Sequence, residues 1–255
     1  MTELVVALDY SDANDALKIV RKLRRKVRWF KVGLELFTAQ GPDMLRRLKD
    51  LDTRIFLDLK LLDIPNTVYG AVKNACDLEA DMLTVHILGG GEMLASAIRA
   101  RDNSRTSTRL MGVTLLTSLD GENLPWPDKR NTRVIVEELA GKAYVSGLDG
   151  VVCSGAELPG LHDKYRGALQ LLSPGIRLNA GNDDQKRICT PQNASRSGAD
   201  YIVAGRPITA ADNPEAAADS FLKAIADNKC KGKKGLQTIP KKSRKNSSRK
   251  PKTTG

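Results

Sequence analysis

Short apolar segments and longer amphipathic segments alternate along this chain from residue 4 to about residue 228. The apolar segments have the length of β-strands, and the segments between them have helical spacing or helix start signals such as Asn213-Pro214. Eight strands that are each followed by a helix predict a closed (β/α)8 TIM barrel, an α/β fold. The alternative is an open doubly wound sheet, but its glycine-rich first turn is replaced by LDYSD. The predicted strands are residues 4–8, 29–34, 54–60, 82–88, 109–116, 150–154, 169–173 and 201–205.

The positive charge of the chain is concentrated at its C-terminal end. Lys and Arg number 41 against 30 Asp and Glu, but residues 229–255 hold 11 of the basic residues and no acidic one. We therefore expect a single barrel domain over residues 1–228 and a disordered basic tail over 229–255, because the tail has too few apolar residues to form a core. A balanced body disfavours a nucleic-acid-binding barrel surface. Two interpretations of the tail stay open: it contacts a nucleic acid, or it only increases solubility.

Several classes of protein are disfavoured by what the sequence lacks. It has no run of 18 apolar residues and no charged segment ahead of an apolar one at its start, so neither a membrane span nor a signal peptide is predicted. Its four cysteines show no CxxC spacing, and with only two histidines no zinc motif can be assembled. We expect a cytoplasmic protein with free thiols, no metal and no membrane contact.

Charged residues occur at the ends of the first three predicted strands. Asp9 ends the first, Lys31 lies in the second, and Asp58, Lys60 and Asp63 follow in the third and its turn. Because side chains alternate along a strand, Asp58 and Lys60 share one face. Active sites of such barrels lie at the carboxyl ends of the strands, so the five charges predict an alternating acid–base array at the barrel mouth. The alternative is an ion-pair network that only closes the top of the barrel.

The last two predicted strands end in sequences that suit a phosphate. The segments LLSPGIR and IVAGRPI follow the seventh and eighth strands, where barrels of this type often bind phosphate groups. Gly205 lets the backbone approach closely, and Arg206 offers a planar guanidinium that matches phosphate oxygens. A phosphate site is therefore predicted at this end.

The segment FLDLKLLDIPNT (56–67) resembles the D-x-K-x-x-D signature of the orotidine 5′-phosphate decarboxylase family. Other segments resemble that family in the same order: LDYSD, FKVGLELF, TVHILGG, VTLLTSLD, LSPGIR, DDQKRICTP and GADYIVAGRPIT. The resemblance covers essentially the whole body. It implies a cofactor-free carboxy-lyase that converts orotidine 5′-phosphate to UMP and CO2 in pyrimidine biosynthesis.

The resemblance also implies a role for each charged residue. Lys60 matches the lysine that protonates C6 of the pyrimidine, and Asp58 matches the aspartate beside the departing carboxylate. Lys31 and Asp9 match the residues that contact the ribose hydroxyls and hold the charge network. A fixed ammonium is chemically suited to this reaction, because it stabilises a carbanion electrostatically and then delivers a proton to it.

Two further residues imply how the protein assembles. Asp63 and Thr67 match positions that enter the neighbouring subunit's site. The resemblance therefore implies a homodimer with shared active sites.

The remaining matches concern the base and the phosphate. Ser118 matches the serine that hydrogen-bonds the pyrimidine edge, and Pro174 lies near the base. Gln185 and Arg206 match the pair that holds the phosphate, with the amide of Gly205. The segment LNAGNDD, before Gln185, is shorter than the loop expected to fold over the phosphate.

The main alternative is a metal-dependent sugar-phosphate enzyme of the same superfamily. Such an enzyme needs acidic ligands at strand ends one, two and three, whereas the second strand here offers Lys31, with Glu35 beyond it. The Ser118 and Gln185 matches favour a pyrimidine. His86, at the end of the fourth predicted strand, is interpreted as a hydrogen-bonded structural histidine.

Overall fold

Eight parallel strands close into a barrel in chain order, with the last strand paired to the first. The computed structural model describes residues 1–119, 131–178 and 189–227, so the predicted tail and its expected disorder lie outside the described residues. All eight predicted strands are confirmed, and with them the (β/α)8 fold. They are β1 (Glu3–Ala7), β2 (Trp29–Gly33), β3 (Arg54–Leu61), β4 (Met82–His86), β5 (Arg109–Val113), β6 (Gly150–Val152), β7 (Gln170–Ser173) and β8 (Tyr201–Ala204).

Helices surround the barrel, and the helices predicted from amphipathic spacing are present. Three short helices that the spacing did not indicate are α2, α8 and α9. The helices are α1 (Ala13–Leu23), α2 (Leu34–Gln40), α3 (Asp43–Lys49), α4 (Pro65–Asp77), α5 (Gly90–Asn103), α6 (Thr132–Ser146), α7 (Leu158–Tyr165), α8 (Pro191–Arg196), α9 (Arg206–Thr209) and α10 (Pro214–Ala226). Within the described residues, no helix has the length and hydrophobicity needed to cross a membrane.

Helix starts follow the capping residues of the sequence. Asp12 accepts hydrogen bonds from the amides of Asn14 and Asp15 at the start of α1, and Asn213 caps α10 in the same way. A proline inside a helical segment would break the helix, but Pro159 does not interrupt α7. Pro159 lies in the first turn of α7, where its missing N–H has no intrahelical partner to lose, so the helix begins there.

The barrel interior is filled by side chains that alternate inward along the strands. The inward cluster comprises Val5, Ala7, Trp29, Phe56, Met82, Met111, Val113, Val152, Leu172, Tyr201 and Val203. Two residues further along three of these strands, the inward positions become polar: Trp29 is followed by Lys31, Phe56 by Asp58, and Met82 by Thr84. The apolar interior therefore ends in a polar layer at the carboxyl ends of the strands, where barrel active sites lie.

Candidate active site

The carboxylate of Asp58 lies between two ammonium groups. Its Oδ2 is 2.9 Å from Nζ of Lys60 and 3.9 Å from Nζ of Lys31. The side chains of Asp58 and Lys31 are only 14% and 13% exposed. Charges withdrawn from water are costly unless they are paired and hydrogen-bonded, so Asp58 holds both ammonium groups at the mouth.

The array continues around the barrel to the first and last strands. Nζ of Lys31 is 3.1 Å from Oδ1 of Asp9, and a Cβ atom at Gly205 would lie 3.0 Å from Oδ2 of Asp9. Two carboxylates and two ammonium groups thus form one continuous row from β1 to β3 that begins beside the end of β8. Four of the five charges predicted to form an acid–base array are brought together.

Strand β3 changes register beside the site. Leu57 pairs with Leu83 of β4, but the next pair is Leu61 with Val85, so β3 has two extra residues in this interval. Lys60 lies within it and has a φ of 49°, a left-handed conformation that is uncommon for residues other than glycine. Such bulges re-aim side chains near active sites, and this one accompanies the placement of the Lys60 ammonium against Asp58.

The charged row borders a cavity of about 220 Å³. Lys31, Asp58 and Lys60 line it, together with Ser118 and Pro174. The sequence reasoning assigned all five to the substrate, and the fold brings them to one cavity. The other lining residues are Phe56, Val113, Leu115, Leu116, Thr117, Val152, Leu172 and Val203. Charge on one side and apolar surface on the other is the lining that a small polar ring would require.

Asp63 and Thr67 lie away from this cavity. Both are exposed, and both line a neighbouring hollow of about 300 Å³ at the end of β3 and the start of α4, which Lys60 also lines. Oδ1 of Asp63 accepts a hydrogen bond from the amide of Ile64, and among the described residues Asp63 has no ion-pair partner. The expectation of a five-charge array within one chain was therefore wrong: the turn after β3 carries Asp63 outward, past the mouth.

The predicted phosphate residues are described only in part. Arg206 is exposed at the start of α9, and its guanidinium makes no ion pair or hydrogen bond with a described residue. Gly205 precedes it, beside Asp9. Gln185 and the short segment before it lie outside the described residues, so their assignment stays a prediction.

Two polar residues at the end of β4 were not assigned to the site by the sequence reasoning. Thr84 is fully buried, and its hydroxyl contacts both Asp58 and the backbone of Lys60. His86 is 9% exposed, and its Nδ1 accepts a long hydrogen bond of 3.4 Å from the amide of Leu88. Burial lowers the pKa of His86, and the positive charge of Lys60 lowers it further. Strand alternation from Met82 could have found both residues, since it places them on the inward face beside β3.

Barrel, charged row and cavity together define a (β/α)8-barrel enzyme whose mouth presents an Asp–Lys pair to a small cavity. Within the described residues, no group of His, Cys, Asp and Glu side chains could hold a metal ion. The chain belongs to the orotidine 5′-phosphate decarboxylase / HUMPS family, whose sequence model matches residues 2–221. The predicted family is thereby confirmed.

Individual relatives agree with the family match over nearly their full length. The orotidine 5′-phosphate decarboxylase of Maridesulfovibrio salexigens is 44% identical over 221 residues, which is 86% of this chain and 96% of that protein. The one from Lawsonia intracellularis is 43% identical over 230 residues, 88% of this chain and all of that protein. The crystal structure of orotidine 5′-phosphate decarboxylase from Lactobacillus acidophilus has a TM-score of 0.76 and 36% identity, covering 88% of this chain and 98% of that one.

Proposed function

We propose that the protein decarboxylates orotidine 5′-phosphate to UMP and CO2, a reaction of pyrimidine biosynthesis. The observation that carries this proposal is the position of the Lys60 ammonium. It is held 2.9 Å from Asp58 at a cavity whose lining suits a pyrimidine ring. The family and its named relatives support the same reaction, which is that of a carboxy-lyase.

Lys60 is proposed to protonate C6 of the pyrimidine. When the bond between C6 and the carboxyl carbon breaks, CO2 leaves and its bonding electrons stay on C6. The Lys60 ammonium stabilises that negative charge and then transfers one of its protons to C6. At about 4 Å and an effective dielectric constant near 20, such an attraction is about 4 kcal/mol, or roughly three powers of ten in rate. Further acceleration must come from binding energy elsewhere on the nucleotide.

The order of residues around the mouth suits a nucleotide. Arg206, Gly205 and Gln185 are proposed to hold the phosphate, Asp9 and Lys31 the ribose hydroxyls, and the Asp58–Lys60 pair the reacting end of the base. The charged row from Gly205 through Asp9 and Lys31 to Asp58 supports this direction. So does the Arg206 guanidinium, which no described residue pairs. The substrate carboxylate would then lie beside Asp58.

The position of Lys31 argues against the metal-dependent alternative. A divalent cation would need to lie between the acidic groups at the first and third strand ends. The Lys31 ammonium already occupies that interval, 3.1 Å from Asp9 and 3.9 Å from Asp58. An ammonium and a divalent cation in one place would repel each other strongly.

Asp63 and Thr67 are proposed to complete the site of a second copy, in a homodimer. Both are exposed outside their own cavity. Three large apolar side chains are exposed on neighbouring parts of the same rim: Leu62 at 54%, Ile64 at 67% and Leu88 at 45%. Apolar surface next to an active-site mouth supports burial against another subunit.

The state of the cysteines supports a location in the cytoplasm. Cys76, Cys153 and Cys189 are free thiols, and the first two are buried. Buried, unpaired thiols suit a reducing environment.

The proposal is tested by adding the purified full-length protein to orotidine 5′-phosphate in the presence of EDTA. We expect the ultraviolet absorbance of the substrate to fall and UMP to form in equal amount to the substrate lost. Activity that appears only after a divalent metal is added, or no UMP at all, would contradict the proposal. A Lys60→Ala variant prepared in parallel controls for a contaminating decarboxylase.

A further inference from the structure

Thr84 connects the two residues on which the proposed reaction depends. Its Oγ1 donates a hydrogen bond to Oδ1 of Asp58, 3.0 Å away, and accepts one from the backbone amide of Lys60, 2.9 Å away. The residue has no exposed surface and does not line the cavity. Among the described residues, its hydroxyl contacts Asp58 and Lys60, and through them it can influence the substrate.

The hydrogen bond from the Lys60 amide to Thr84 takes the place of a backbone hydrogen bond between β3 and β4. Because β3 has two extra residues between its pairings with β4, the Lys60 amide lies in the irregular interval between two register positions. Its left-handed backbone, with φ of 49°, is a conformation that surrounding contacts must hold in place. The Thr84 hydroxyl is the hydrogen-bond acceptor that this amide uses.

The contact with Asp58 fixes the plane of its carboxylate. With Oδ1 bound to Thr84, Oδ2 is the oxygen that lies 2.9 Å from Lys60 and 3.9 Å from Lys31. A carboxylate without the first contact is free to turn about its terminal torsion, which has a broad energy minimum. Turning would move Oδ2 away from the ammonium groups.

We propose that Thr84 is a positioning residue, which sets the Asp58 carboxylate and the Lys60 backbone in the geometry that decarboxylation requires. The inference rests on the proposed function. A single hydroxyl does this for both partners because it carries one proton to donate and free lone pairs to accept.

The test compares Thr84→Val with Thr84→Ser. Valine keeps the shape of threonine but loses the hydroxyl, and serine keeps the hydroxyl but loses a methyl group. We expect Thr84→Val to lower kcat about 10- to 100-fold, the equivalent of one lost hydrogen bond to a charged group. KM and the Kd for UMP should stay within about threefold of the wild-type values, because the phosphate and ribose contacts are unchanged. Thr84→Ser should recover most of kcat.

Thr53→Val is the matched control. Thr53 immediately precedes β3, the strand that carries Asp58 and Lys60, at the end away from the mouth. It is 5% exposed, and its hydroxyl donates to the carbonyl of Leu48. The substitution deletes one buried hydroxyl, as Thr84→Val does, and it removes one hydrogen bond where Thr84→Val removes two, far from the mouth. It should cost stability without changing kcat.

The outcomes separate the inference from a purely structural role. Equal kcat values for Thr84→Val and the wild type would overturn it, as would a serine variant no more active than the valine variant. If Thr84→Val does not fold, Thr84→Ala replaces it and must show the same selective loss of kcat. A wild-type protein that fails to convert orotidine 5′-phosphate would refute the proposed function and this inference together. An active wild type with an unaffected Thr84→Val would refute the inference alone.

Discussion

Gly33 faces the ammonium group of Lys31, and a Cβ atom at position 33 would lie 2.8 Å from Nζ. The backbone of Gly33 has φ of −93°, which any residue can adopt. The glycine is therefore needed for space at the end of β2 rather than for its conformational freedom. The gap it leaves is the one through which the Lys31 side chain reaches Asp9 and Asp58.

Gly33→Ala should displace Nζ of Lys31 and weaken its contacts with both carboxylates. We expect kcat/KM to fall on the order of tenfold, since a small misplacement of a charged group at a reacting site is costly. Thermal stability should change little, because the moving atom is the end of a flexible side chain. Gly91→Ala is the control, since a Cβ atom there would meet nothing within 4 Å. A Gly33→Ala enzyme with wild-type kinetics would show that the Lys31 ammonium has room elsewhere.

Lys60→Ala should abolish turnover while nucleotide binding persists. The ammonium 2.9 Å from Asp58 is both the proposed electrostatic stabiliser and the proton donor, so at least about a thousandfold loss of kcat is expected. Binding of UMP, measured by calorimetry, should stay within about tenfold of wild type, since Arg206 and Lys31 remain. Near-normal turnover by this variant would exclude Lys60 as the proton donor.

The sequence predicted the barrel well because most strands are buried on both faces and read as short apolar runs. It also predicted which charges meet, since alternation from Trp29 leads to Lys31 and from Phe56 to Asp58. It could not predict the two extra residues of β3, because nothing in the sequence between Leu57 and Leu61 indicates a change of register. The outward position of Asp63 depends on that bulge and the turn after it.

The shorter elements were missed for a different reason. α8 and α9 have six and four residues, which is too few for a helical stripe to show. Thr84 was missed because a threonine in a buried strand is ordinary. Its importance comes from which two groups it touches, and those contacts exist only once β3 and β4 are paired.

His86 should make the stability of the protein fall in mild acid. Burial and then the nearby Lys60 charge lower its pKa below the ordinary value of 6.5. Between the folded and unfolded pKa values the unfolded chain binds more protons, so the free energy of unfolding decreases as pH falls below about 6.5. In His86→Gln this contribution is removed, and the decrease between about pH 7 and pH 5 should be smaller than in the wild type. Urea unfolding at both pH values measures it, and equal decreases in the two proteins would contradict the prediction.

Removal of residues 229–255 should leave decarboxylation intact. The family match ends at residue 221, and α10 is complete at Ala226, so the deletion spares every described element that positions the site. We expect kcat and KM on free nucleotide to equal those of the full chain within about twofold. A collapse of turnover would show that the barrel domain extends beyond residue 228. If the truncated protein stays active but no longer binds a polyanion column, the basic tail has a role separate from catalysis.

The exposed position of Asp63 leads to the sharpest test of shared active sites. Lys60→Ala and Asp63→Ala should each be nearly inactive alone, because each homodimer then lacks one required residue in both sites. A mixed dimer contains one doubly defective site and one site with Lys60 from one chain and Asp63 from the other. Random reassociation of equal amounts should therefore restore about a quarter of wild-type activity.

The matched control for that mixture is Lys60→Ala with Asp58→Ala. Asp58 and Lys60 lie 2.9 Å apart in the same chain, so every site in a mixed dimer still carries one lesion and no activity should return. Recovery in the first mixture and not in the second requires that Asp63 acts across a subunit boundary. If neither mixture recovers although native mass spectrometry shows mixed dimers, Asp63 serves its own chain, and the turn after β3 must then close over its own cavity when substrate binds.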